Sequence, residues 1–340
     1  MKKTLLKTTC FICILLGLIA GCCHVLKFHD SDGIFSMENF YKQEKDTVDV
    51  LFLGSSRVFE NIDTGVLWDE EGIASYILAG SVQPMWNTYY YLKEAYKTQS
   101  PKLVVIDAYY ATLWRDYHDS IRIIKNTFGL KWGPDRIRAT MVSAPTAEWP
   151  RYFLPFIQYH YRYSMPSEFA NKAIRKDPYY RDWKGYLCNS AVNETPYFKQ
   201  QDTTTTDELW PKSEEYFRKT IELAQQHGSH VLVILNPYCD STEWEQTAYN
   251  RCGQIAAEMG ADFLNFNACP EVLGLDYAAD FADNAHFNFR GAAKYAAFLG
   301  RYIREHFGVP DRRGEEGYGS WERNAAFLRE YRVGLEAAAQ

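Results

Sequence analysis

The chain has 340 residues, with 37 Lys plus Arg against 43 Asp plus Glu and a formal net charge of −6. A weakly acidic chain has no basic footprint with which to neutralise phosphates, which argues against a nucleic-acid partner. A hydrophobic share of 46% and a charged share of 24% are globular values and exclude wholesale disorder, collagen, a coiled coil and a multi-span membrane protein. Aromatic residues make up 16%, with 25 Tyr among them. Such a load suits either an aromatic core or surfaces that pack flat, partly polar ligands such as sugars.

Residues 1–27 precede the folded domain. Lys2, Lys3 and Lys7 form a positive start, and the almost uncharged stretch from Thr8 to Leu26 follows. As a helix that stretch reaches about 28 Å, enough for the hydrocarbon core of a bilayer. Two readings stand. One is an uncleaved signal anchor, with Lys27 and Asp30 opening the outer segment. The other is a lipoprotein signal, in which Ile19-Ala20-Gly21-Cys22 directs cleavage before a lipidated Cys22. Both hold a soluble domain at the extracytoplasmic face, because the positive charges stay inside. Cys10-x-x-Cys13 reads as apolar filler. Cys188, Cys239, Cys252 and Cys269 remain in the domain, an even number in an exported chain that permits a disulfide. Their spacings match no zinc pattern, and no metal or cofactor is expected.

From Val48 to Phe307 short apolar runs alternate with helical periodicity, the mark of an α/β fold with a parallel sheet and crossover helices. Strands are expected at Val48–Leu53, Leu103–Asp107 and Val231–Leu235, with a shorter one at Asp262–Phe266. Tyr216, Thr220, Leu223 and Ala224 share one face of a helix that Gly228 ends. Ser241 can cap a helix running to Gly260, and Asn288 one running to Gly308. Residues 113–211 break this rhythm and read as a partly helical, aromatic-rich insertion. Trp114, Trp132, Trp149, Trp183 and Trp210 fall in it, as does Tyr159-His160-Tyr161-Arg162-Tyr163. It is expected to fold over the strand ends and to wall an acceptor cleft with residues such as Trp149 and Tyr161. Residues 311–340 form a charged linker and a last helix from about Ser320 to Ala338.

Two short motifs carry chemistry. Gly54-Ser55-Ser56-Arg57 directly follows the first strand, and ligands bind at the C-terminal ends of parallel strands. A Gly there permits a tight turn that exposes a Ser side chain and the N–H groups of a helix start. Asp283-Asn284-Ala285-His286 precedes the last long helix of the body. A carboxylate three residues before a His can orient the imidazole, which can then take a proton from a Ser. His227 and His230 read as surface and core residues rather than metal ligands. Arg57 either binds an anionic substrate or pairs with a carboxylate.

A Ser after the first strand, with Asp and His before the last helix, resembles the SGNH/GDSL hydrolases. Gly54-Ser55-Ser56 sits where that superfamily has its Gly-Asp-Ser block, Leu78-Ala79-Gly80-Ser81 where its second block lies, and Asp283-Asn284-Ala285-His286 at its final D-x-x-H. Within the superfamily the chain is similar to membrane-anchored proteins such as the teichoic acid D-alanine transfer protein and the alginate O-acetylation proteins. Phrases shared with them include Thr88-Tyr89-Tyr90-Tyr91, Asn236-Pro237-Tyr238 and Gly291-Ala292-Ala293-Lys294. The resemblance covers roughly Val48 to Phe307. It implies a three-layer, flavodoxin-like fold with Ser56 as nucleophile, His286 as general base and Asp283 as its orienting carboxylate. It also implies an oxyanion hole built from the Ser56 and Gly80 N–H groups. One block departs from the pattern: Asp107-Ala108-Tyr109-Tyr110 stands where the family supplies a side-chain Asn, and an ionised Asp cannot donate to an oxyanion. Tyr109, Tyr110 or Gln83 are the candidate substitutes. Arg57, Gln83, Asp107, Tyr109 and Asn288 are the candidate substrate-binding residues, with Asp107 alternatively a structural carboxylate.

The resulting expectation is an exported serine esterase or O-acyltransferase acting on acyl esters of a cell-envelope glycan. A membrane-bound O-acyltransferase is the further partner that the resemblance implies. The alternative is a non-catalytic accessory or glycan-binding protein of such a system.

Overall fold

The computed structural model describes residues 2–26, 32–159 and 183–339. Tyr161 and its neighbours 160–163, like Lys27 and Asp30, lie outside the described residues. Five parallel strands form one sheet in the order β2-β1-β3-β4-β5. They are β1 (Val50–Gly54), β2 (Ser75–Ala79), β3 (Leu103–Asp107), β4 (His230–Leu235) and β5 (Asp262–Asn265). The expected α/β class with a central parallel sheet is therefore what the chain adopts. One strand was not among those expected: β2, whose apolar run is diluted by Ser75 and Tyr76, takes one edge of the sheet.

Strand residues alternate between two cores, as the pleat requires. Leu51, Leu53, Val104, Ile106, Val231 and Val233 face one side, where Trp86, Tyr91, Phe217, Ile221, Tyr249 and Ile255 cover them. Val50, Phe52, Leu103, Val105, Leu232 and Ile234 face the other, beneath Leu67, Ala292, Tyr295, Leu299 and Ile303. Helices Met85–Ala95, Pro211–Gln226 and Glu243–Glu258 thus lie on one face, and Thr64–Glu71 and Phe289–Phe307 on the other. A strand buried on both faces reads as a continuous apolar run, which explains why β1, β3 and β4 were legible.

Helix ends follow local chemistry with one shift. Gly228 and Gly308 stop their helices at positive φ (79° and 58°), a conformation open to Gly at little cost. The expected Ser241 cap is instead Thr242, which forms a reciprocal capping box with Glu245. Glu three residues after Thr242 completes that box, whereas Ser241 has Trp244 in the same place. The last helix, Gly319–Ala339, docks on Thr64–Glu71. Trp68 Nε1 donates to Glu322 (2.8 Å), Trp321 Nε1 donates to the Ser75 carbonyl (2.9 Å), and Arg332 pairs with Asp63. At the other terminus, helix Lys2–Leu26 contains a stretch, Lys2–Cys23, long and apolar enough to cross a membrane. Cys188, Cys239, Cys252 and Cys269 are all free thiols.

Aromatic residues of the 113–211 segment do not gather in one cap among the described residues. Trp183 is buried against Tyr186, Phe327 and Tyr331 under the last helix. Trp149 donates to the Ala144 carbonyl (3.0 Å). Trp114 and Trp210 meet at the β3 end. Aromatic side chains bury large areas wherever a core needs them, so these described tryptophans serve separate parts of the fold.

Candidate active site

The parallel register pairs Gly54 with Ala79 and Ile106 with Leu53. The turns after β1, β2 and β3 therefore leave the same sheet edge side by side. Gly54 is needed there: a Cβ would lie 2.6 Å from Val58 Cγ2 and 2.7 Å from Asp107 Cβ. Ser55 caps the short helix Ser56–Phe59, its hydroxyl accepting from Arg57 N (3.4 Å). This leaves Ser56 at the first helical position, its side chain partly exposed.

His286 reaches Ser56 from the loop before helix Phe289–Phe307. Its Nε2 lies 2.8 Å from Ser56 Oγ, and its Nδ1 lies 2.9 Å from both Asp283 carboxylate oxygens. Asp283 Oδ1 also accepts the amides of Ala285 (2.7 Å) and His286 (2.9 Å), closing a tight turn that fixes the carboxylate against the ring. Burial opposes ionisation of Asp283, but the His286 ring and these amides hold its carboxyl below the ordinary range. An anionic Asp283 places the Nδ1 proton between itself and the ring, which leaves Nε2 as acceptor for the Ser56 proton. The sequence-expected trio is thus brought together, across 230 residues of chain.

Several supports around it were not expected. Asn61 accepts the Phe287 amide (2.9 Å), and a bridge pairs Phe281 with Phe287, so the His286 loop is pinned at both ends. Asn193 N donates to the Phe281 carbonyl (2.9 Å), bracing the same loop from the 183–207 segment. Glu60 follows Ser56 by one turn, its N–H donating to the Ser56 carbonyl (2.8 Å), and its carboxylate accepts from Asn189 Nδ2 (2.8 Å). Burial lifts the Glu60 carboxyl above its ordinary range, against the pull of His286. An Asn in a loop carries no pattern, so only the tertiary contact reveals such braces.

Four expected site residues face elsewhere. Arg57 is 1% exposed. Its guanidinium lies between the rings of Tyr109 (4.2 Å) and Tyr238 (4.0 Å), and Nη2 donates to the Asn236 carbonyl. Asn236 Nδ2 returns a bond to the Arg57 carbonyl (2.6 Å), while Tyr295 Oη donates to Asn236 Oδ1 (2.6 Å). Arg57 is therefore a brace under the Ser56 turn, out of reach of a substrate. Asp107 is equally buried, accepts the Tyr109 amide (3.3 Å) and fits the structural alternative. Gln83 is fully buried, with Nε2 donating to Thr88 Oγ1 (3.1 Å). Asn288 caps helix Phe289–Phe307 by accepting the amides of Arg290 (2.9 Å) and Gly291 (3.3 Å), and donates to the Ala279 carbonyl (2.7 Å). Asn288→Ala is expected to cost about 2 kcal/mol through the lost cap and the orphaned carbonyl. Urea unfolding measures that loss, with the KM of a small ester unchanged.

Tyr109 keeps a partly exposed edge beside Tyr110. Gly80 lies beside the turn as expected, but its N–H donates to the Gly54 carbonyl (3.3 Å), continuing the β1–β2 ladder by one residue. As an oxyanion donor it has to leave that bond. A Cβ at Gly80 would lie 2.4 Å from Asn126 Oδ1, so close packing already requires the glycine. Just beyond, Val82 holds φ at 54°. A β-branched residue in the left-handed region is strained, and such strain gathers at functional sites. The Ser56 N–H, at the helix start, is the donor nearest in sequence to Ser56 Oγ.

His227 stacks on Tyr96, with centroids 4.0 Å apart, and His230 opens β4. Among the described residues no cluster of His, Cys, Asp and Glu could hold a metal ion. What fold and site define together is a parallel α/β protein with a Ser–His–Asp constellation at the C-terminal ends of its strands. No protein-family model matches the chain, and a search of the curated proteins finds no relative.

Proposed function

We propose that the chain is a membrane-tethered, SGNH-like serine esterase or O-acyltransferase that acts on acyl esters of a cell-envelope glycan. One observation carries the reading: Ser56 Oγ, His286 Nε2 and Asp283 lie in hydrogen-bonded series at 2.8 and 2.9 Å. Strand order β2-β1-β3-β4-β5 supports it, because this is the flavodoxin-like doubly wound order, which places ligands beyond the strand ends. Ser56 Oγ attacks the acyl carbonyl while its proton passes to His286 Nε2. The imidazolium, stabilised by Asp283, then protonates the departing sugar oxygen, and the acyl group remains as an ester of Ser56. Water or a second sugar hydroxyl attacks that ester and gives its proton to His286, which returns it to Ser56 as the acyl group leaves. The Ser56 N–H at the helix start is the first donor for the oxyanion.

A fluorophosphonate probe reacts with an activated serine and not with an ordinary one. Labelling of the wild-type protein at Ser56, located by peptide mass spectrometry, is the expected result. An unlabelled protein would discard the esterase reading. The bond that engages the Gly80 N–H favours a second reading, a non-catalytic glycan-binding or accessory protein of a membrane O-acyltransferase. That protein would keep the fold and resist the probe.

The positive start and the apolar helix Lys2–Leu26 support a tethered domain under this reading, and the positive-inside tendency favours the extracytoplasmic face for it. Removal of residues 1–26 is expected to release a folded, soluble protein. Intact mass of the membrane form separates the two anchors: an unmodified N-terminus marks a signal anchor, and a chain beginning at a diacylated Cys22 marks a lipoprotein.

A further inference from the structure

Three tryptophans meet at the rim of the same sheet edge, outside the Ser–His–Asp constellation. Trp114 lies seven residues beyond β3, Trp210 immediately before helix Pro211–Gln226, and Trp244 in the first turn of helix Glu243–Glu258. Crossover helices start where strands end, so all three stand on the Ser56 side of the sheet. Ring centroids of Trp114 lie 5.2 Å from Trp210 and 5.6 Å from Trp244, both edge-on. Trp114 is 52% and Trp244 36% exposed. Exposed contiguous aromatic surface of this kind marks an interaction site.

The cluster is held rigidly. Trp210 Nε1 donates to Asp116 Oδ1 (2.9 Å), Lys212 Nζ donates to the Asp116 carbonyl, and Ser213 Oγ donates to the Leu113 carbonyl (2.8 Å). Trp114 follows the β3 turn, whose Tyr109 packs on Arg57 beneath the Ser56 turn and meets Tyr110 at 4.8 Å.

We infer that Trp114, Trp210 and Trp244 form a stacking platform for a neutral glycan, the acceptor or acyl-bearing strand that leads into the Ser56 site. This rests on the esterase or acyltransferase reading above for its purpose but not for its chemistry. A pyranose presents an apolar C–H face and a polar hydroxyl rim, which matches a flat indole bordered by Asp116 and Glu243. Those carboxylates, with Asp240 and Glu245 on the same loop and helix start, outnumber the adjoining Arg115 and Lys212. Like charges disfavour a polyanionic chain or an anionic lipid surface here. Rigid aromatic area gives affinity at little cost in conformational entropy.

The test uses the full-length protein in detergent micelles, with β-1,4-linked hexamers of N-acetylglucosamine, glucose and mannose as probes. Affinity electrophoresis and tryptophan fluorescence titration read binding without any turnover. Wild-type protein is expected to bind at least one hexamer, and Trp114→Ala/Trp244→Ala to bind it about tenfold more weakly or worse. Trp114→Phe, which keeps a ring, should retain binding, and an unchanged melting temperature shows that the variants fold. Turnover of p-nitrophenyl acetate should be the same in all of them, since neither Trp touches the reacting atoms. A protein that resists fluorophosphonate yet binds a hexamer through these residues removes the esterase reading and leaves the platform standing. Absence of binding to all three hexamers, or binding unaffected by the double variant, overturns the inference. So does Trp-dependent attachment to phosphatidylglycerol vesicles, or Trp-dependent self-association in sedimentation, without an effect on glycan binding.

Discussion

Replacing Ser56 by Ala should lower turnover of a small acyl ester about ten-thousandfold or more and abolish fluorophosphonate labelling, while stability changes by about 0.5 kcal/mol or less. The two halves of this expectation come from different features of the turn. Ser56 is partly exposed at a first helical position and fills no cavity, so its hydroxyl contributes little packing. Its one side-chain bond among the described residues, to His286 Nε2 at 2.8 Å, is the one the proposed chemistry uses. Ser55→Ala should behave in the opposite way. Ser55 is buried and caps the Ser56–Phe59 turn, so its loss costs about 1 kcal/mol of stability and leaves turnover within a few-fold. Asp283→Ala should fall between the two, with a smaller loss than Ser56→Ala. Its side chain is 57% exposed, so water partly replaces it, and in model enzymes the orienting carboxylate is the least costly member to remove. Equal turnover in wild type and Ser56→Ala would show that the ester is cleaved elsewhere on the molecule.

Much of this site was legible because it rests on order and spacing. Ser56 follows a strand whose apolar run is unbroken, and Asp283 precedes His286 by three residues in a loop that leads to a capped helix. Such local patterns survive in one dimension. Arg57 shows where one-dimensional reading ends. An arginine beside a proposed nucleophile looks like a surface cation, and nothing local announces that Tyr109 from the β3 turn and Tyr238 from the β4 turn close over it. Gly80 shows a related limit: whether its N–H points to a ligand or to Gly54 depends on how far the β1–β2 register runs. Asn288 suits both a cap and a substrate contact by its place in the sequence, and its four hydrogen bonds to Arg290, Gly291, Ala279 and Phe281 leave it to the cap. β2 leaves no clear sequence signal because an edge strand of five residues with Ser75 and Tyr76 lacks the aliphatic density of its neighbours.

The largest stability effect is expected at Arg57, through Asp107. Both side chains are buried beneath the Ser56 turn. Burial pushes the Asp107 carboxyl up to about 6 from 3.8, against the pull of Arg57 and the Tyr109 amide. The native state therefore holds this proton more tightly than the unfolded chain does. Stability from Asp107 is greatest below pH 3.8 and is lost as the pH rises through about 6. At pH 7 the ionised group costs roughly 3 kcal/mol relative to its protonated form. Arg57→Met removes the cation that keeps this cost from growing and also breaks the bond to the Asn236 carbonyl. A loss of about 3–5 kcal/mol is expected at pH 7, and a smaller one at pH 4, where Asp107 is largely protonated. Adding Asp107→Asn to Arg57→Met should recover part of the loss, because a neutral amide needs no counter-charge. Asp107→Asn alone should flatten the pH dependence between 4 and 6. Chemical unfolding of the four proteins at pH 4 and 7 reads the coupling as a double-mutant cycle. If Arg57→Met loses as much at pH 4 as at pH 7, the arginine holds the turn by packing between Tyr109 and Tyr238 and not by charge. A loss confined to pH 7 assigns its work to Asp107, and with it the reason a fully buried cation sits directly after Ser56.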